Sequence, residues 1–437
     1  METFDIVIIG GGILGTAMAY TASAIGLSVC LIEGESDVAL HSSSRNTGVI
    51  HRPFYLNPNS KKAFATAAGK SYAPLKELCK KYDLPWKENG TVEVAVRERD
   101  LDVIKRYSVW AKLNGMSNEE FEVLSQDELL RLETNVRGYG AFYSKKDTNV
   151  DFHSITKALA TAAQKLGATF LFNTRATSIA NGTVQVHHNM SKGRVAGKFV
   201  VNAAGGESLA LARTDGVADE YGQLHFRGDY YTAELTQMYR SNIYTVPRHT
   251  KFPFLDPHIV KKPDGTTEIG PNAFLVRGPY SYNGTITALL SNVLGSGDGN
   301  WVNRYKLFLN TEFVSLVASD WLVSISKRYM VNKVREFAPL VNHRHLNGRG
   351  ISGIRHNLLD KNGFVPEAIF IETESGFHVL NYNSPGATGS PWFATAIVKY
   401  IVNKGIIKAQ KPLNAPFWEE LIESDDGWKM LNVVTQF

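Results

Sequence analysis

Two patterns of apolar positions alternate along the start of this chain, one with the spacing of strands and one with the spacing of helices. Phe4-Asp5-Ile6-Val7-Ile8-Ile9 is a short β-branched run and predicts a buried strand. Thr16 to Ile25 has helical spacing and many small residues, and Gly26 closes that helix. Leu27 to Ile32 predicts a second strand, with Glu33 at its end. Helical periodicity returns over Ser60–Tyr82, Leu101–Leu113, Ser125–Leu132 and Asp151–Leu166, and Ser125 with Glu128 has the spacing of a capping box. Strand patterns fall at Gly90–Val96, Gly140–Tyr143, Thr169–Asn173 and Phe199–Asn202, with Thr177–Ile179 and Val184–His187 as a hairpin. From Gln223 to Leu290 short alternating segments rich in aromatics predict an antiparallel sheet, and Asn300–Tyr329 reads as helical. Strand character resumes at Gly350–Leu358, Ala368–Glu372 and Phe377–Leu380, and the turn Pro385-Gly386-Ala387-Thr388-Gly389 opens a helix over Ser390–Val402. The predicted class is α/β: a nucleotide-binding domain made from separated segments, with an antiparallel-sheet domain inserted.

The junction of the first strand and helix carries the first chemistry. Gly10-Gly11-Gly12-Ile13-Leu14-Gly15 gives the spacing G-x-G-x-x-G, and Glu33 follows Gly15 by 18 residues. Gly10 allows a tight turn, Gly12 lets backbone approach a pyrophosphate, and Gly15 lets the helix pack close on the sheet. Free N–H groups at the helix start face the phosphates, and Glu33 accepts hydrogen bonds from a ribose. With strand, helix and acid in one short unit, the motif predicts a bound dinucleotide, NAD or FAD. The hydroxyl-rich stretch His41-Ser42-Ser43-Ser44-Arg45-Asn46-Thr47-Gly48 follows the second strand and can reach along that ligand. Phe199 to Gly206 runs from apolar strand into small residues, which suits a close backbone passage at Ala204 and Gly205.

Composition narrows the partners. With 437 residues, 43% hydrophobic, the chain buries a large core and has the length of two domains. A net charge of +5 fits anionic small molecules, and the sequence shows no block of like charges and no nucleic-acid motif. Cys30 and Cys79 are the only cysteines and lack metal-ligand spacing, so neither a disulfide framework nor a metal site is expected, and a reducing cytoplasm fits. The opening apolar run is broken by Asp5 and the glycines and reads as strand rather than as a targeting segment. No apolar segment reaches the ~18 residues of a membrane span. Peripheral contact with the inner face of a membrane and a homodimer both stay open.

Six ordered motifs then give a resemblance. They are Asn46-Thr47-Gly48-Val49-Ile50-His51, Phe226-Arg227-Gly228-Asp229-Tyr230-Tyr231, Phe252-Pro253-Phe254-Leu255 with His258, Gly270-Pro271-Asn272-Ala273, Gly353-Ile354-Arg355, and Asn383-Ser384-Pro385-Gly386-Ala387-Thr388. Together with the glycine loop, the chain resembles the D-amino-acid-oxidase-like family of FAD-dependent oxidoreductases along nearly its whole length. Within that family it is most similar to the L-2-hydroxyglutarate dehydrogenase and oxidase branch. The resemblance implies a Rossmann-like FAD-binding domain over residues 1–85, 148–215 and 335–437, and an antiparallel substrate domain over 86–147 and 216–334.

It further implies FAD as cofactor, held by Gly10, Gly12, Ile13, Leu14, Gly15, Glu33, Ser42, Ser43, Ser44, Arg45, Asn46, Ala176, Ala204, Gly205, Arg355, Gly386, Ala387 and Thr388. The implied reaction is oxidation of a secondary alcohol in a small anionic 2-hydroxy acid, L-2-hydroxyglutarate favoured. A histidine takes the hydroxyl proton while hydride passes to flavin N5, and His51 and His258 are the candidates. His345, His356 and His378 are expected to be structural. Arg355 is expected to pair with a substrate carboxylate or with reduced flavin. The branch has a small residue and glycine after its Val-Ile-His, whereas Arg52-Pro53 follow here, which makes Arg52 a second candidate for anion binding. Clustered arginines also keep a glycerol-3-phosphate dehydrogenase open, with a non-catalytic flavin-binding sensor as a third reading. The electron acceptor is a quinone, oxygen or a carrier protein. Since the C-terminal half has no cysteine, thioether attachment of flavin there is excluded.

Overall fold

The computed structural model describes residues 3–189, 191–235, 237–249, 252, 256–283, 301–409, 417–423 and 427–436. The motif residues Pro253, Phe254 and Leu255, and the expected strand and helix residues between 284 and 300, lie outside these. The fold is mixed α/β. A nine-stranded sheet is built on a parallel core in which Thr3–Ile9 lies between Val29–Ile32 and Ser191–Asn202. Thr169–Leu171 extends it on one side and Gly376–Leu380 on the other, both in parallel. Ile6, Val7 and Ile8 have no exposed surface, as a continuous apolar run in a doubly covered parallel strand requires.

The helix Ile13–Ala24 follows the glycine turn, and all its residues are buried. It packs against Phe152–Lys165 and Gly386–Asn403, and its small side chains permit both approaches. Local signals hold where they are explicit. Ser125 and Glu128 form the expected capping box of Gln126–Leu132, and Asp151 caps Phe152–Lys165 by accepting the His153 N–H at 3.0 Å.

Three elements differ from the sequence expectation. The helix foreseen over Ser60–Tyr82 is two, Lys62–Lys70 and Tyr72–Lys81, broken at Ser71, whose hydroxyl accepts the Trp392 N–H at 3.2 Å. The strand foreseen from Phe199 begins at Ser191, because its first half pairs with the Thr183–His188 arm of the hairpin, where polar residues stay in solvent. The C-terminal helix begins at Gly386 rather than Ser390, so the glycine-containing turn is itself the first helical turn.

An eight-stranded sheet has the order Leu346–Arg349, Tyr231–Ala233, Thr267–Gly270, His258–Lys261, Asn242–Thr245, Thr91–Val94, Gly140–Ser144, Phe121–Ser125. A four-stranded sheet pairs Gly222–Gly228 with Phe274–Val276 and with Gly353–Asp360. Leu346–Arg349 and Gly353–Asp360, foreseen in the nucleotide domain, thus hydrogen-bond to strands of the inserted region. Backbone pairing crosses the expected boundary at residue 335 because Gly353–Asp360 runs antiparallel to Gly222–Gly228 over seven residue pairs.

The strand Thr91–Val94 carries Glu93 into a buried position, and the carboxyl is pushed up to about 8, by burial first and then by the charges of Asp147 and Asp256. Between the ordinary carboxylate range and pH 8 the native chain therefore holds a proton that the unfolded chain has lost, and stability falls as pH rises through that window. Glu93→Gln removes the penalty, which is on the order of 5 kcal/mol at most. The variant's melting temperature should gain on the parent between pH 5 and pH 8 and run parallel above. A gap independent of pH would show that Glu93 is ionised in the native protein.

Candidate active site

The glycine turn is set by backbone contact. Gly10 has φ +109°, and a Cβ there would lie 2.5 Å from the Ala203 carbonyl oxygen. A Cβ at Gly15 would lie 1.9 Å from the Gly10 oxygen, so only glycine lets the helix approach the strand end. Glu33 is drawn into the same turn: its Oε2 accepts the Gly11 N–H at 2.6 Å and its Oε1 the Glu35 N–H at 2.9 Å. Ser43 Oγ accepts the Ile13 N–H at 2.9 Å, while Leu14 and Gly15, in the first turn, have no acceptor within the helix.

These residues border one long cavity of about 340 Å³, within the size range of ligand sites. Gly10, Gly12, Ile13, Leu14, Gly15, Glu33, Ala176, Ala204 and Gly205 line it around the glycine turn and the strand ends beside it. Ser42, Ser43, Arg45 and Asn46 border it from the loop, and Gly386, Ala387 and Thr388 from the start of the C-terminal helix. Asn46 staples that loop, donating to the Ser42 and Ser43 carbonyls and accepting the Gly48 N–H at 2.8 Å. Ser44 is the exception: its hydroxyl turns back to the His41 carbonyl at 3.2 Å and it does not line the cavity. Two helix starts therefore open on the same cavity with unsatisfied N–H groups, the donor set that a pyrophosphate and an electron-rich ring edge require. A dinucleotide such as FAD fits these residues.

The remaining predicted residues separate. His51 and Arg355 both line the cavity. The two-residue strand Val49–Ile50 pairs antiparallel with Thr148–Val150, Val49 opposite Asn149 and Ile50 opposite Thr148. Continuing that register sets His51 opposite Asp147, and His51 Nδ1 lies 2.8 Å from Asp147 Oδ2. Arg355, on the strand Gly353–Asp360, is half-buried and has no carboxylate partner among the described residues. Burial pushes its guanidinium below the usual arginine range, partly offset by the neighbouring Tyr230, Tyr244 and Tyr55.

His258 and Arg52 are not at the cavity wall. His258 is 2% exposed, stacks on Tyr244 with ring centroids 4.0 Å apart, and has no partner for Nε2 among the described residues. Burial, then the charges of His51 and Arg355, push it down to about 3, so it is a neutral, enclosed ring and not an accessible base. Arg52 is buried with Nη2 2.8 Å from Glu120 Oε1, Nη1 on the Gly69 carbonyl, and its guanidinium 4.8 Å from the Tyr72 ring centre. That corrects its expected anion-binding role, because the cation is already paired inside the protein. Arg227 pairs with Asp229 at 2.8 Å and lies over Phe274.

Of the histidines read as structural, His378 bridges Asn202 and Asp215, and His345 folds onto Asn342. His356 faces the cavity, its Nδ1 2.9 Å from that of His225, and burial pushes it down to about 3. Asp147 and Tyr55 escaped the sequence reading. Tyr280 and Tyr282, read there only as part of an aromatic stripe, cover the loop: Tyr282 hydrogen-bonds His41 at 2.9 Å and lies under Arg45 at 4.1 Å.

A family model described as FAD dependent oxidoreductase matches residues 5–400. The L-2-hydroxyglutarate dehydrogenase of Escherichia coli (strain K12) is 27% identical over 426 residues, covering 92% of this chain and 93% of that protein. The mitochondrial L-2-hydroxyglutarate dehydrogenase of Caenorhabditis briggsae is 28% identical over 427 residues, covering 93% and 94%. Among solved structures, a dithionite-reduced L-alpha-glycerophosphate oxidase from Mycoplasma pneumoniae with FAD bound superposes with a TM-score of 0.70 at 24% identity, covering 95% of this chain and 98% of that one. Glycine oxidase from Geobacillus kaustophilus superposes at 0.66 and 18% identity, covering 95% and 98%. Those structures share the fold, and the family model spans most of the sequence: the chain belongs to the family of FAD-dependent oxidoreductases.

Proposed function

We propose that this chain oxidises the 2-hydroxyl of a small anionic hydroxy acid, with L-2-hydroxyglutarate as substrate, and that its FAD is held by the cavity residues named above. The observation that carries the reading is the pairing, in one cavity, of an imidazole whose Nδ1 is committed to Asp147 and an arginine with no carboxylate partner among the described residues. The relatives that bear the name L-2-hydroxyglutarate dehydrogenase support it at full length.

When bound, FAD supplies the two-electron acceptor for the hydride on the carbinol carbon. His51 takes the hydroxyl proton, and Arg355 binds the adjacent carboxylate and orients the carbon. Tyr230 and Phe226 limit water at that end, and the burial that neutralises His258 strengthens the charge of Arg355 toward an anion. We further place the nucleotide in the nine-stranded half and the substrate between that half and the eight- and four-stranded sheets.

Glycerol 3-phosphate is the second reading, and it draws on Arg52 as part of an arginine cluster. With Arg52 paired to Glu120, that support is gone. A flavin-binding sensor without turnover leaves the base and the unpaired cation without a use. A quinone, oxygen or carrier protein is the expected acceptor. No helix among the described residues is long and apolar enough to cross a membrane.

Anaerobic addition of L-2-hydroxyglutarate to the purified yellow protein should bleach the flavin absorbance, and glycerol 3-phosphate should leave it unchanged. The reverse result would move the protein to the phosphate ester, and no bleaching by any hydroxy acid would end the reading. His51→Ala should slow reduction by about 10²–10⁴-fold with FAD retained. Reduction at the parent rate would remove His51 from the mechanism. Arg355→Met should raise the substrate concentration needed for half-maximal reduction at least tenfold, the loss of about 1.4 kcal/mol or more of binding. Arg52→Met should leave that concentration unchanged and lower the melting temperature, since it strands the Glu120 carboxylate.

A further inference from the structure

Asp147 is buried with 0% of its surface exposed, yet it is not needed to balance a neighbouring cation: its Oδ2 meets only the His51 ring. Its Oδ1 accepts the Arg52 backbone N–H at 2.9 Å and the Ser144 hydroxyl at 2.6 Å. Two donors on one oxygen make the environment of a carboxylate, which can only accept. The proton between Asp147 and His51 therefore belongs to Nδ1, and the neutral ring carries its lone pair on Nε2. No hydrogen bond engages that Nε2 among the described residues, and His51 lines the cavity with 15% of its side chain exposed.

The ring is also held in plane and in place. Tyr244 and Tyr55 meet it edge-on, with centroids 5.5 and 5.9 Å away. The titratable and charged groups around it are Asp147, Tyr55, Tyr244, His258 and Arg355, with Glu93 beyond Asp147. Tyr55 and Tyr244 are pushed above the usual tyrosine range by burial, and His258 is neutral. Burial pushes Glu93 up to about 8, and Asp147 is the carboxylate within hydrogen-bond distance of the imidazole.

We propose that Asp147 is a positioning residue for the oxidation: it fixes the tautomer and orientation of His51 so that Nε2 receives the substrate's hydroxyl proton, and it stabilises the imidazolium that results. The proton moves from the substrate oxygen to Nε2 as the hydride leaves for the bound cofactor, and the Nδ1 proton stays between His51 and Asp147. This rests on the reading of His51 as the base.

The test has two readouts. Long-range 1H–15N correlation spectra of the labelled, FAD-loaded protein report the His51 tautomer without any substrate. The expected result is protonated Nδ1 and bare Nε2. In Asp147→Asn the amide donates to Nδ1, and the spectrum should shift to the tautomer protonated at Nε2. Anaerobic stopped-flow reduction of that variant should fall by about 10²-fold or more, as for a base held in the wrong tautomer. The substrate concentration for half-maximal rate and the FAD dissociation constant should hold within about threefold, as the loss removes no binding contact.

A native His51 protonated at Nε2 overturns the proposal, as does an Asp147→Asn enzyme that reduces within threefold of the parent rate. Should the variant fail to fold, the native tautomer decides alone: Nδ1–H supports the proposal and Nε2–H overturns it. Failure of the underlying reading looks different. If His51→Ala reduces at full rate while the native tautomer is as expected, His51 is oriented by Asp147 but is not the base.

Discussion

Backbone against backbone at the glycine turn is the constraint on which the rest depends. The 1.9 Å that would separate a Gly15 Cβ from the Gly10 oxygen leaves no room for any side chain. With glycine there, the helix Ile13–Ala24 sinks onto the sheet until every residue is buried, and it needs covering from outside. Gly386–Asn403 provides that cover, packing beside it. Its own first turn is thereby brought to the cavity that the glycine turn opens on. Two helices held together for packing thus present two positive ends to one ligand, and cofactor recognition follows from core packing.

Electrostatics at the other end of the cavity follow from burial. His258 and His356 are driven neutral, and the buried tyrosines near Arg355 keep their protons. Other cations close by are already matched: Arg52 with Glu120, Lys262 with Glu268 at 2.9 Å, Arg227 with Asp229. Arg355, with no carboxylate partner among the described residues, lies in a medium where Coulomb attraction is weakly screened. An anion meets little competition there. The same desolvation makes an imidazolium costly at His258 and His356, whereas His51 has the Asp147 carboxylate behind it.

Much of this is legible in the sequence, and the parts that are share a cause. The Gly10–Gly15 turn, the Ser125–Glu128 capping box and the Asp151 cap are local, their partners lying within a few residues, so spacing alone identifies them. The six motifs extend this to cavity residues contributed by distant segments, such as Arg355 and Ala387. Asp147 cannot be read this way. It lies 96 residues from His51, and only the pairing of Val49–Ile50 with Thr148–Val150 brings the two together. Ser44 and His258 fail for another reason: composition marks a hydroxyl or an imidazole as capable, and burial and rotamer decide whether it faces the ligand. The expected start of the C-terminal helix falls four residues late because glycine disfavours helix interiors, although at a helix start it is tolerated at little cost.

Arg52 is the instructive case, since strand geometry alone decides which way its side chain faces. The chain leaves Val49–Ile50 still extended, with Arg52 at φ −75° and ψ 152°. Successive side chains of an extended segment point to opposite faces. If residue 51 faces the cavity as a base, residue 52 must face away from it, and a cation there has to find its counter-charge in the protein. It does so at Glu120, and its backbone N–H is meanwhile given to Asp147 Oδ1. The unusual arginine is thus bound to the site through its main chain: the side chain anchors the segment on one side, and the amide helps hold the carboxylate that orients the imidazole on the other. Under the proposed reading, substrate charge then falls to a residue from a different sheet, Arg355, whose strand Gly353–Asp360 pairs with Gly222–Gly228.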